Sequence, residues 1–183
     1  QAAPSSVGQR APEPVRDVAQ APGLLAGAAW ETLLDGNVRT LIERERLLPF
    51  LQRQRWFASK TREIRQARFN DWAPLQTGAD LSFLTVVTLE YADGWRETYL
   101  LPLALLSGEA AARVLKRVPS AVLARITGAR KGVIVDGIHD DGVCDRLLGM
   151  IAAKEDTTTR RGSTQGLVIS PEVLASSTQT ATH

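Results

Sequence analysis

The sequence of 183 residues has a single cysteine, Cys144, and a single methionine, Met150. One cysteine excludes an internal disulfide framework and fits a reducing compartment. There are two histidines, and with one cysteine they form no paired ligand spacing of the zinc type. No run approaches the ~18 consecutive apolar residues of a membrane helix. The start shows no basic stretch leading into an apolar one, as a secretory leader would. Neither sign of charge is in excess overall: 22 basic and 20 acidic residues leave a formal charge of +2. That balance by itself does not argue for nucleic acid. The expectation is a cytoplasmic protein with no metal site and no membrane partner.

What is present is an ordinary globular composition, 44% hydrophobic and 23% charged, long enough for one domain with a real core. Residues 1–23 differ from the rest. Pro4, Pro12, Pro14 and Pro22 punctuate Ala, Ser, Gly and Gln, with almost no bulky apolar side chains. Such a segment reads as a flexible linker, because it cannot bury enough surface to offset its ordering entropy. Structure is expected over 24–170, and the Ser/Thr/Ala-rich remainder, 171–183, reads as a disordered tail. Beginning at Gln1 without an initiator Met, the chain looks like a piece of a longer protein.

Between those ends the pattern mixes helix and strand. Asn37 suits the N-cap of a helix with Val38, Leu41, Ile42 and Leu48 on one face. Pro49 suits the first turn of a second, short helix presenting Phe50, Leu51 and Trp56. Strands are expected over 63–72, 81–91 and 96–106, the last two joined by a tight turn at Asp93-Gly94. Pro102 argues that the third strand is an edge or ends there. Ser107 suits the cap of a helix running to Val118 and stopped by Pro119. A second strand pair, 121–127 and 132–138, precedes a helix over 141–153. The polar stretch 154–165 reads as a loop, and 166–169 as one last strand.

The candidate chemistry is thin. His139 precedes Asp140 and Asp141, the residue types of a phosphotransferase catalytic loop. That loop also needs downstream Mg²⁺ ligands and a separate phosphate cradle with its lysine, and neither follows. An Asp cap between a strand and a helix accounts for the same residues. Cys144, five positions from His139, reads as a small apolar side chain rather than a nucleophile. Gly23, Gly27 and Gly36 match no nucleotide-binding fingerprint. The one local charge excess is the segment from Arg39 to Arg68, nine basic residues against Glu43, Glu45 and Glu63. It could be a phosphate or nucleic-acid surface, with Trp56 and Phe57 stacking on bases. The favoured reading is a solvated helix face with local Glu–Arg pairs and aromatics anchoring the helix on a sheet.

The run Leu48-Pro49-Phe50-Leu51-Gln52-Arg53-Gln54-Arg55-Trp56-Phe57-Ala58-Ser59-Lys60 resembles a motif of the maltokinase N-terminal cap. There a Leu-rich helix is followed by Gln-Arg-Trp-Phe, two small residues and Lys. Asp93-Gly94 and then Glu97-Thr98-Tyr99-Leu100-Leu101-Pro102-Leu103-Ala104 look like the family's Tyr-Leu-Leu-Pro-Leu strand. Asp136-Gly137 sits where the family has an Asp-Ala pair opening its next helix. The resemblance covers roughly residues 30–170, and its motif residues are Gln54, Arg55, Trp56, Phe57, Lys60, Tyr99 and Pro102.

The resemblance implies an α+β fold, a curved antiparallel sheet with packed helices, similar to a cystatin-like cap. Trp56 and Phe57 would bury large areas and fix the helix on the sheet. The parent enzyme would convert ATP and maltose to maltose 1-phosphate, feeding α-glucan synthesis, in some cases behind a fused trehalose synthase. The family's Gln-Ser-Asn phosphate loop, lysine-bearing strand, catalytic Asp loop and Mg²⁺ ligands follow the cap and are not in this sequence. No catalytic, cofactor-binding or metal residue is therefore carried over. ATP and Mg²⁺ belong to the parent only, and the chain alone is expected to be non-catalytic. Its implied partners are the kinase lobes, with a trehalose synthase domain upstream as an option. Nucleic acid is disfavoured. The rival functions are a nucleic-acid-binding module through residues 39–68 and a stand-alone cystatin-like scaffold or inhibitor.

Overall fold

A computed structural model describes residues 23–26 and 30–168. Apart from Gly23, the expected linker lies outside them, as does the expected tail over 171–183.

Strand β1 (Leu24–Ala26) opens the described chain and a short 3-10 turn at Trp30–Thr32 follows. Helix α1 (Gly36–Ile42), a wider π segment (Glu43–Leu47) and helix α2 (Leu48–Arg53) then run on as one rod, with helical backbone at both junctions. Pro49 was expected to open a separate helix. Instead it sits within the rod, and the turn widens just before it, as suits a residue with no N–H to return. The N-cap is Asp35, not Asn37, with its backbone extended ahead of Gly36. The rod ends where Gln54 turns extended, so Trp56 lies beyond the helix rather than on it.

Strands β2 (Ile64–Gln76), β3 (Ser82–Tyr91), β4 (Arg96–Leu106), β5 (Val122–Gly128) and β6 (Gly132–Asp136) form a curled antiparallel sheet, and β1 adds in parallel to β5. The order is β1-β5-β6-β4-β3-β2. Helix α3 (Gly108–Arg117) joins β4 to β5, and helix α4 (Asp141–Ala152) follows β6. The α+β class with a curved antiparallel sheet and packed helices is as expected from the sequence.

Alternation along the strands divides the interior in two, as a period of 2 requires. Phe83, Val87 and Leu89 of β3, with Leu101, Leu103 and Leu105 of β4, face the rod and its Ile42, Leu47, Phe50 and Leu51. Leu84 and Ala104 face the opposite way, where Ala111 of α3 and Val143 and Met150 of α4 close a second core. A sheet covered on both faces explains the near-continuous apolar run of β3.

Pro102 is an edge residue on one side only. It pairs with Leu84 on β3, while pairing with β6 begins at the next residue, Leu103 with Asp136. Strand β4 is thus an edge up to Pro102 and internal beyond it, so the missing N–H leaves no ladder bond broken. The expected loop 154–165 contains a small hairpin, β7 (Asp156–Thr158) with β8 (Ser163–Gln165). No strand forms at 166–168, and Ile169 lies outside the described residues.

Candidate functional site

The motif residues gather where the rod ends. Gln54 is buried, and its side-chain amide donates to the Phe50 carbonyl at 3.1 Å and to the Ser120 carbonyl at 2.9 Å. This terminates the helix and ties it to the lead into β5. The chain then crosses toward β4. Phe57 drops into the core, 1% exposed, and its ring centroid lies 5.6 Å from that of Tyr99. Trp56 points the other way and remains 45% exposed. Its indole meets Phe57 edge-on at 6.5 Å and tilts against Tyr99 at 5.8 Å. The expectation that Trp56 is a buried anchor is overturned: Arg55 and Trp56 form a turn, with the Phe57 N–H on the Gln54 carbonyl at 3.4 Å, which leaves Trp56 outside and brings only Phe57 inward. The fully buried tryptophan is Trp30.

Arg55 and Lys60 are exposed and stand apart from the aromatic group, and Pro102 is buried elsewhere along β4. Of the seven motif residues, the structure brings together Trp56, Phe57 and Tyr99, with Gln54 fixing the approach.

Sequence reasoning missed the polar hub beneath these rings. The Glu97 carboxylate accepts hydrogen bonds from Tyr91 at 2.6 Å, Tyr99 at 2.8 Å and the Ser59 hydroxyl at 2.9 Å. Arg62 lies 3.8 Å from Glu97, pairs with Asp93 at 2.6 Å and stacks over the Tyr91 ring at 4.2 Å. Ser59 and Glu97 both lie inside the motifs, but nothing in their spacing reveals that the two segments meet. Hydrogen bonds from Tyr91 and Tyr99, then Ser59 and the Arg62 charge, hold the Glu97 carboxyl below its ordinary range. Burial and the bond to Glu97 push the Tyr99 hydroxyl up to about 12, and Tyr91 moves the same way. The hydrogen bond from Arg62 keeps Asp93 low.

Such a hub fixes geometry and does little acid–base work. Its carboxylate is a weakened base, and its phenols are harder to ionise than free tyrosine. Elsewhere, Asp140 caps α4 by accepting from the Val143 N–H at 3.0 Å, and Asp136 accepts from the Ile138 N–H at 3.1 Å. Burial and then the carboxylates of Asp141, Asp140, Asp145 and Asp136 push the Cys144 thiol up, which disfavours the thiolate. Among the described residues no group of three or more His, Cys, Asp or Glu side chains could hold a metal ion, and no helix is long and apolar enough to cross a membrane.

Much of the basic segment is the solvated face expected of it, with a local Arg39–Glu43 pair at 3.7 Å. Arg39 and Arg44 of the rod and Arg65 and Arg68 of β2 line one groove of about 770 Å³. Arg96 of β4 and Arg161 of the β7–β8 turn join them there. Trp56 and Phe57 are not part of it.

A two-sided sheet, a helical rod across one face, and a motif cluster built for packing define an α+β domain. Residues 50–140 match the maltokinase N-terminal cap domain family. The match takes in the Trp56-Phe57 run, the Glu97–Ala104 strand and Asp136-Gly137. No curated protein matches the chain.

Proposed function

We propose that the chain is the non-catalytic cap of a maltokinase-type enzyme, and that it docks on the lobes that transfer phosphate from ATP to maltose. The observation that carries this reading is the exposed Trp56 held between Phe57 and Tyr99, within the segment that matches the cap family. A large ring already oriented by two neighbours loses little freedom when a partner covers it, which is what makes tryptophan a frequent interface anchor. The low-lying Glu97 carboxylate braces the rings from behind. In this role the chain contributes packing and positioning, while ATP, Mg²⁺ and maltose are handled by the lobes. A trehalose synthase fused upstream would supply maltose to the same assembly.

The test is maltose- and ATP-dependent ADP release by catalytic lobes produced as a separate chain, with and without this one. Co-expression is the appropriate format, because severing a short linker removes an effective concentration of order millimolar. The reading expects co-purification and higher activity or solubility of the lobes. Lobes that are folded, equally active without this chain and never co-purify with it would overturn the reading and favour a stand-alone scaffold or inhibitor.

A further inference from the structure

Strand β2 is the outer strand of the sheet, and edge strands of its length are normally closed off. Its second half is. Past Phe69, the turn of the β7–β8 hairpin covers it: the Arg160 N–H donates to the Trp72 carbonyl at 3.0 Å, and the Arg161 N–H to Asp71 at 3.1 Å. At Phe69 itself the N–H is accepted by the Glu43 carboxylate of the rod at 2.9 Å. Before Phe69, over Ile64–Arg68, β2 pairs among the described residues with β3 alone. This open stretch is about 16 Å long at ~3.3 Å per residue.

Cations flank the open stretch on both sides. Arg39 and Arg44 belong to the rod, which packs on one face of the sheet. Arg68 pairs in register with Thr88, and Arg96 with Glu90. These lie in step with Leu84 on the opposite face. Glu43 lies 3.7 Å from Arg39 and Glu90 3.3 Å from Arg96. Among the described residues, no carboxylate lies within ion-pair distance of Arg44, Arg65 or Arg68. All six lining cations are arginines, whose planar forks suit carboxylates.

From this arrangement we infer that the open edge of β2 docks an extended acidic peptide of another protein, which adds to the sheet as a further strand. Successive side chains of an added strand point to opposite faces. Acidic residues at neighbouring positions would therefore reach Arg39 and Arg44 on one side and Arg68 and Arg96 on the other. Glu43 already satisfies one edge N–H with the same chemistry. A nucleic acid suits the groove less well: its one aromatic residue, Phe69, is buried, so no stacking platform is offered to bases.

The probe is a fluorescent Glu-rich dodecapeptide titrated into the full chain at low salt. Its twin is N-methylated at alternate residues, which keeps every charge and blocks main-chain pairing. Binding of the first, about tenfold weaker binding of the twin, and about tenfold weakening by the double variant R65Q/R68Q are expected. The exposed pair R113Q/R117Q on α3 should change little, which controls for net charge. Hydrogen exchange should slow at the Arg65 and Ala67 amides. Three results would each overturn the inference: no binding, equal affinity for the methylated twin, or displacement by a lower concentration of a single-stranded oligonucleotide of equal charge.

Discussion

The Tyr99 hydroxyl donates to the Glu97 carboxylate across 2.8 Å, from two positions further along the same face of β4. Tyr91, on the neighbouring strand, reaches the same carboxylate at 2.6 Å. One acidic side chain thus fixes both phenols and, through Tyr99, the ring against which Trp56 leans.

The pH dependence of stability follows from the two directions of shift. Glu97 is depressed when folded, so its contribution is present above the unfolded value of ~4.3 and is lost as pH falls through the folded one. Tyr99 is raised to about 12, so its contribution is complete below the unfolded value of ~10 and is lost as pH rises toward 12. Urea midpoints should therefore fall at both ends of the pH range. Glu97→Gln should flatten the acid limb, and Tyr99→Phe the alkaline one. A tyrosinate absorbance titration of the folded protein should show late-ionising phenol. Limbs unchanged in both variants would mean that the hub does not hold in solution.

Adjacent residues Trp56 and Phe57 should separate cleanly in stability. Phe57→Ala empties a fully buried site and should cost ~3–5 kcal/mol. Trp56→Ala removes a half-covered ring and should cost roughly 1–2 kcal/mol. Lys60→Ala, at an exposed lysine, should stay within ~0.5 kcal/mol. Urea melts of the three variants give the order directly. A Trp56 variant as damaged as the Phe57 one would place the indole in the core.

How much of this was legible in the sequence depended on how local each cause was. Strand β4 and helix α3 could be read to within a residue, because Asp93-Gly94, Ser107 and Pro119 punctuate them. The α4 cap at Asp140 was legible for the same reason. Trp56 falls off the helix that local periodicity predicts, because the break after Arg53 rests on Gln54 bonding to Ser120, 66 residues away. The β7–β8 hairpin was hidden because its anchors are polar: Thr159 to Asp71 at 2.6 Å, and Arg146 to Glu155 at 2.7 and 2.6 Å. The arginine groove unites Arg39 with Arg161, and no window of sequence spans them.

Those polar anchors make a prediction of their own. Burial works against the Asp71 carboxylate, yet bonds from the Thr159 hydroxyl and from the Trp72 and Arg161 N–H groups hold its pKa low. Asp71→Ala should release the hairpin turn from β2. Trypsin should then cut after Arg160 and Arg161 faster than in the parent, while the two cores stay intact. Unchanged cleavage would mean that the remaining anchors, the Arg160 N–H on the Trp72 carbonyl and the Arg146–Glu155 pair, retain the strap.

The last expectation concerns Trp56 as a docking anchor, and it separates docking from folding. Domain interfaces within a chain bury roughly 600–1,500 Å² and are centred on apolar contacts. A ring that is 45% exposed in the free cap can still lose much of its surface to a partner. Trp56→Ala should leave a folded protein with a modestly lowered urea midpoint, yet co-purify poorly with the catalytic lobes. Arg55→Ala, at an exposed neighbour outside the aromatic group, should co-purify as the parent does. Tyr99→Phe keeps the ring and loses only the bond to Glu97, so it should dock nearly as well. Tyr99→Ala, which unseats the indole, should dock as poorly as Trp56→Ala. Tryptophan fluorescence alone is a blunt readout with four indoles present, so capture of the lobes and restored ADP release are the quantities to measure. If Trp56→Ala and the parent capture the lobes equally, the interface lies on another face, and Leu100, 63% exposed on the far side of β4, becomes the residue to substitute.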